Sequence, residues 1–280
     1  MLVPDVVCSG KALLKDIELT MPSESEVAIW WLGQNSFVLK CNGVVVYTDP
    51  YLSSNPRRFT PPPIMPFEVT NANIVTCSHE HSDHIDPDTI PHIATASPNA
   101  KFVVPRRALK LMLSLGLTSD RVVLMNDGEC VELFGVKIWA IKARHERFDE
   151  DEFGGFPYLS YMFEMAGVRI YHAGDGIPYD GLVSRLRSYE PHIMLMPING
   201  RDGERYRRNI IGNFTFQEAG DISADVGAKL VIPMHWGTFA DNTEDPLKFV
   251  DYVTSRYSNL QVKVLAIGER LIWSSKPKQN

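Results

Sequence analysis

One short run constrains this chain more than any other: Ser78-His79-Glu80-His81-Ser82-Asp83-His84 carries four metal-ligand side chains within six residues. It directly follows the apolar, partly β-branched stretch 72–77, so it reads as a loop leaving the end of a buried strand. Side chains alternate along an extended segment, which sends His79 and His81 to one side. Asp83 and His84 come where the chain turns, just ahead of Asp86-Pro87, and face a second point nearby. The loop therefore offers two imidazoles to one cation and a carboxylate with an imidazole to another. Such donors suit Zn, Fe or Mn. A lone histidine would read as solvated or packed, but this density of ligands reads as a metal site.

Further ligand candidates recur along the chain, each near the end of a strand-like run. His145 follows 136–142, Asp175 follows 168–172 within Ala173-Gly174-Asp175-Gly176, and His235 follows 229–234. Asp49 ends the run 44–48. The glycines beside Asp175 let backbone approach whatever that carboxylate holds. Open α/β sheets place their sites beyond the carboxyl ends of strands, so this recurrence is what a single shared site predicts. Cys77 sits close to the cluster, but its place in the β-like run makes it a packed thiol.

The surrounding pattern is a β-rich one. Residues 27–32, 36–40 and 44–48 read as strands, with Asn42-Gly43 as a strong hairpin signal. Pro105 is expected to start a helix through Leu115, with Gly116 just past its end. Segments 131–133, 137–142, 158–165 and 168–172 restore an antiparallel pattern, turning at Phe134-Gly135 and Ala166-Gly167. Thr215-Phe216-Gln217-Glu218 is a capping box that opens a helix to about Val226. A strand over 230–234 and a helix over 246–256 follow. Without repeats or a flexible linker, two β-rich halves that each end in α/β alternation suggest two packed sheets with helices outside.

His79-x-His81-x-Asp83-His84 followed by His145, Asp175 and His235, with Asp49 upstream, resembles the full ligand set of the metallo-β-lactamase superfamily. The segments 28–33, 76–86 and 231–235 resemble its L-ascorbate-6-phosphate lactonase-like branch. The resemblance runs from about Glu26 to Trp273. It implies an α/β, four-layer αββα sandwich forming one domain over residues 1–280. It also implies that His79, His81 and His145 hold one ion, that Asp83, His84 and His235 hold the other, and that Asp175 bridges them. Two dications about 3.5–4 Å apart can share a water and lower its pKa toward neutrality, giving a hydroxide nucleophile. Asp83 and Asp175 then belong to the catalytic centre, and Asp49 orients a ligand imidazole from behind. His172 reads equally as a proton shuttle or as a buried structural histidine. The native ions would be Zn or Mn, with Fe also compatible, and association into a homo-oligomer is implied by resemblance alone.

Substrate selection is less sharply written. Arg201 to Asn209 form an arginine-rich, glycine-containing loop, where Arg207 or Arg208 can grip a phosphorylated sugar acid through paired hydrogen bonds. A self-paired, solvated loop is the alternative, with Asp202 and Glu204 offsetting the arginines. Asn213 is a further polar candidate, and Trp236, next to a ligand, reads as a pocket wall or as packing. Arg57-Arg58 beside Pro61-Pro62-Pro63 belong to a loop over the site.

The net charge of −6 argues against non-specific nucleic-acid binding. Two divalent ions would still leave a positive spot in the cleft that favours a small anionic metabolite. Without a long apolar run no membrane span is expected. The first twenty residues lack a secretory core, and four cysteines without paired spacing favour the cytoplasm. Three readings follow. One is a lactonase-like hydrolase, one is a phosphodiesterase acting on nucleotides, RNA or an N-acylated phospholipid, and one is a non-catalytic metal-binding sensor.

Overall fold

Three two-residue turns set the strand pairing. Asn42-Gly43, Phe134-Gly135 and Ala166-Gly167 hold positive φ at both positions, between +47° and +80°. That is the turn geometry whose twist matches paired strands. In the computed structural model, which describes residues 2–146, 148–152, 154–274 and 276, these turns join the hairpins of two sheets.

The first sheet contains β1 (Glu26–Gly33), β2 (Ser36–Cys41), β3 (Val44–Thr48), β4 (Ile74–Thr76), β5 (Lys101–Pro105) and β6 (Val122–Met125). The second contains β7 (Cys130–Leu133), β8 (Val136–Lys142), β9 (Leu159–Met165), β10 (Val168–His172), β11 (Ile193–Pro197), β12 (Leu230–Met234) and β13 (Gln261–Val262). A last strand, β14 (Arg270–Ser274), returns to the first sheet beside β1, giving the order β14-β1-β2-β3-β4-β5-β6 against β13-β12-β11-β10-β9-β8-β7. Each sheet begins antiparallel and turns parallel, at β3–β4 and at β10–β11.

Period-two alternation in β1 and β2 assigns their faces. Ile29, Trp31, Phe37 and Leu39 point between the sheets and join Ile138, Tyr161, Phe163 and Ile170 in one core. Trp30, Val38 and Tyr47 point the other way, against Leu13 and Ile17 of α1 (Gly10–Leu19) and Ile90 and Ile93 of α2 (Ile90–Ala96). With both faces covered, β1 reads as a continuous apolar run. Buried Lys40 donates to the carbonyls of Ile17 and Glu18 at 2.7 and 2.8 Å, closing the C-terminus of α1 with a cation where the dipole favours one.

Three more helices cover the second sheet. They are α4 (Leu182–Tyr189), α6 (Phe216–Val226) and α7 (Pro246–Arg256), whose Leu186, Ile222 and Phe249 enter the shared core. The layers are helix, sheet, sheet, helix: the expected αββα sandwich. The Thr215–Glu218 capping box opens α6, and Gly227 closes it in the left-handed conformation.

Two expectations fail locally. Pro105 ends β5, and a tight turn over Arg106–Ala108 precedes a shorter α3 (Leu109–Ser114). The 201–209 segment is not an open loop but holds α5 (Gly203–Arg207), capped by Asp202, whose carboxylate accepts from the amides of Glu204 and Arg205.

Candidate metal centre

Five strand ends and one turn meet at a single rim between the sheets. Asp49 leaves β3, the His79–His84 loop leaves β4, His145 leaves β8, Asp175 leaves β10 and His235 leaves β12. Gln34 and Asn35 form the β1–β2 turn at the same rim.

The candidate ligands converge there. His79, His81 and His145 form one group, Asp83, His84 and His235 a second, and His79, His84 and Asp175 a third, with ligand atoms in each within 4.8 Å of one another. Asp175 lies in the middle. Its Oδ1 is 3.5 Å from His84 Nε2, and its Oδ2 is 3.4 Å from His235 Nε2 and 3.8 Å from His145 Nε2. Asp83 faces His84 Nε2 at 3.8 Å and His235 Nε2 at 3.9 Å. Ligand atoms around a tetrahedral ion with bonds of about 2.1 Å stand roughly 3.4 Å apart, so this spacing suits a cation better than direct hydrogen bonds. Buried His84 Nε2 has no hydrogen-bond partner among the described residues although two carboxylates face it. The donor chemistry and this orphaned nitrogen both fit a divalent ion.

The support behind the ligands is specific. Asp49 is fully buried; it accepts from the Ser78 amide and hydroxyl, both at 2.7 Å, and meets His84 Nδ1 at 2.7 Å. A proton on Nδ1 leaves the Nε2 lone pair aimed at Asp83 and Asp175. His145 and His235 have no such tie among the described residues, where their Nδ1 atoms are buried without a partner. Gly174 is required where it stands: φ is +59°, and a Cβ there would lie 2.8 Å from Ser78 Cβ. His235 itself holds φ +56°, strained for a residue with a side chain, and its amide donates to Gln34 O at 3.0 Å.

Burial governs the protonation states. It pushes His79 well below the usual imidazole range and takes His145 to about 4, so both rings offer lone pairs at neutral pH. Burial acts the same way on His84 and His235, but nearby carboxylates, Asp175 first, outweigh it and raise both. For Asp175 burial favours the acid, yet His235 and His84 hold it well below the ordinary carboxylate range. Protons on His84 and His235 thus occupy the role a bound cation would take over.

Sequence reasoning missed the turn residues. Gln34 Nε2 donates to Asp83 Oδ2 at 2.8 Å and lies 3.1 Å from His235 Nε2, while Asn35 donates to Asp175 Oδ1 at 2.7 Å. A polar pair in a tight turn between two apolar strands was the only local signal.

Other candidates stand elsewhere. His172 is fully buried, its Nε2 on Asn35 O at 2.8 Å and its Nδ1 accepting from Gly174 N, so backbone engages both nitrogens and a shuttle role is lost. Asn213 accepts from Gly176 N at 2.9 Å and braces the Asp175 turn from a buried position, so it cannot receive substrate. Trp236 stacks on Trp31 at 5.1 Å and is packing, not a pocket wall. Neither Arg207 nor Arg208 lines the cleft itself; Arg208 stands at its edge and reaches the lining residue Asp241 at 2.8 Å, while Arg205 turns inward onto the carbonyls of Asn199 and Thr243.

The cleft above the centre is a cavity of about 410 Å³ floored by His81, Asp83, His145, Asp175 and His235. Its mouth carries Arg57, whose guanidinium lies over the Phe239 ring and pairs with Asp241 at 2.6 Å. No helix among the described residues is long and apolar enough to cross a membrane.

Known proteins are similar to this chain in sequence and in fold. The beta-lactamase superfamily domain matches residues 28–235. A UPF0173 metal-dependent hydrolase from Methanopyrus kandleri is 30% identical over 250 residues, covering 86% of this chain and 97% of that protein. A metallo hydrolase from Ignicoccus hospitalis superposes with a TM-score of 0.72 at 24% identity, over 90% of this chain and all of that one. The isothiocyanate hydrolase from Delia radicum gut bacteria shares the fold at a TM-score of 0.69 and 15% identity, over 89% of this chain and 100% of that one.

Proposed function

This chain belongs to the beta-lactamase superfamily and, within it, to a group of metal-dependent hydrolases, and from that premise we propose that it opens a lactone or ester of a small anionic metabolite. The observation that carries the reading is Asp175, whose two oxygens face His84 on one side and His145 and His235 on the other at 3.4–3.8 Å. In this reading residues 1–280 act as one domain. His79, His81 and His145 would hold one divalent ion, and Asp83, His84 and His235 the other, with Asp175 between them; Zn, Mn and Fe all suit the donors. Such ions, when bound, polarise a carbonyl or phosphoryl oxygen and make water acidic enough to attack it near neutral pH.

The protein's own groups supply the rest. Low proton affinity keeps His79 and His145 as neutral donors, and Asp49 holds His84 in one tautomer. Asp83 is the ligand carboxylate that opens to the cleft, 27% exposed, with its Oδ2 steadied by Gln34. At the mouth, Arg57 and Arg208 share the single carboxylate of Asp241, at 2.6 and 2.8 Å, which leaves one positive charge uncompensated within that trio. That excess supports an anionic substrate, carboxylate or phosphate alike. The fold itself does not choose the substrate, since the isothiocyanate hydrolase shares it.

The test is a turnover panel with Zn or Mn, setting sugar-acid lactones and carboxylate esters against bis-aryl phosphodiesters. Lactone or ester turnover that disappears in His81→Ala is the expected result. Turnover of phosphodiesters alone would replace the substrate reading, and no turnover of either class would leave a metal-binding sensor.

A further inference from the structure

His81 is the open member of its group. Its side chain is 37% exposed, whereas those of His79 and His145 are buried. An exposed imidazole on a loop rotates unless something holds it. Its Nδ1 lies 2.9 Å from His79 Nε2, which turns the opposite nitrogen, Nε2, away from the group. That nitrogen lies 3.7 Å from Glu146 Oε1, beyond hydrogen-bond length but within ion-pair reach. The other oxygen of the same carboxylate, Oε2, accepts from the Tyr158 hydroxyl at 2.7 Å.

Tyr158 is itself fixed. Its ring packs against three imidazoles, with centroids 5.2 Å from His79, 6.0 Å from His81 and 5.2 Å from His145. Its carbonyl accepts from Ala143 N at 2.9 Å, tying the start of β9 to the end of β8, where Glu146 emerges. Arg107, which lines the same small cavity of about 130 Å³ beside His81, is engaged by Glu80 at 2.9 Å. Two neighbours of the Glu146 carboxylate are thus the imidazole edge of His81 and the phenol of Tyr158.

A neutral imidazole presents the Nδ1 lone pair only when Nε2 carries the proton, and a carboxylate beside Nε2 favours that tautomer and the ring orientation that goes with it. We propose that Glu146 and Tyr158 are positioning residues that brace His81, with Glu146 choosing its tautomer and Tyr158 holding Glu146 in place. The proposal rests on the metal-centre reading above and concerns how the exposed ligand is kept aligned.

The test uses the full chain, stripped of metal and titrated with cobalt(II) against a chromophoric chelator, with visible spectra recorded. Glu146→Gln is expected to lower the affinity for one ion about tenfold or more. It should also shift the visible absorption, and nitrogen NMR of the metal-free protein should show a smaller share of the Nε2–H form at His81. Ellipticity and urea midpoint should stay unchanged. Tyr158→Phe should move affinity and spectrum the same way by a smaller amount. Affinity, spectrum and tautomer all unchanged in Glu146→Gln, while His81→Ala loses an ion, would overturn the brace. Outright loss of an ion in Glu146→Gln, equal to that in His81→Ala, would make Glu146 a ligand and overturn it too. If the unaltered protein takes up no cobalt, the metal-centre reading falls first and the brace with it.

Discussion

Replacing Asp49 by Asn removes one charge and changes almost no volume, yet it strikes the hydrogen bonds that orient His84. Asp49 receives three contacts at 2.7 Å, from Ser78 N, Ser78 Oγ and His84 Nδ1. An amide offers only one oxygen, which the Ser78 amide takes at the Oδ1 position, and an NH₂ then faces His84 Nδ1. Either two donors oppose each other, or the ring changes tautomer and places its proton on Nε2, where the lone pair is needed. A hydrogen bond to a charged group contributes about 1.5–3 kcal/mol, which corresponds to roughly 10–100-fold in affinity. Part of the loss to folding is offset because a fully buried carboxylate no longer has to be kept charged. The expected result is therefore a 10–100-fold weaker ion at the Asp83–His84–His235 group with little change in folding. Chelator competition, elemental ion-to-chain ratios and circular dichroism would measure it. An Asp49→Asn protein with both ions bound within twofold of the original affinity would refute the argument.

Gly174→Ala should destabilise the protein by about 2–4 kcal/mol in urea, combining a left-handed backbone with a Cβ placed 2.8 Å from Ser78 Cβ; a loss under 0.5 kcal/mol would show that Ser78 yields freely. Phe134→Asn should stabilise by about 0.5–1 kcal/mol, read as a raised melting temperature, because exposed Phe134 holds φ +51° in a turn that asparagine tolerates better. His192 accepts from Arg169 N at 3.0 Å, and burial together with the Arg169 charge lowers its pKa from 6.5. The unfolded chain then takes up the proton first, so this stability is full above pH 6.5 and is lost as pH falls through the folded value. His192→Asn keeps the acceptor without titrating, so its stability relative to the original should improve between pH 7.5 and pH 5; an unchanged difference in urea midpoints would contradict the assignment.

Much of the frame was legible because it is locally encoded. The hairpin turns, the capping box at Thr215 and the boundaries of α7 are each written within a few adjacent residues. The strands β5, β6, β11, β13 and β14 were missed; β5 and β11 are short apolar runs whose faces are both buried and so show no alternation. Pro105 misled because a residue suited to begin a helix equally suits the end of a strand before a tight turn.

The sequence alone determined the inventory: which imidazoles and carboxylates were available, and that they would lie where strands end. Tertiary structure decided the neighbours. Gln34 and Asp83 are 49 residues apart and Asn35 and Asp175 are 140 apart, yet each pair shares a hydrogen bond at 2.7–2.8 Å. The same folding turned Trp236 and Asn213 inward and His172 onto backbone. Side-chain chemistry is a property of the residue, but hydrogen bonds and Coulomb interactions at a few ångströms depend on which strand ends the two sheets press together.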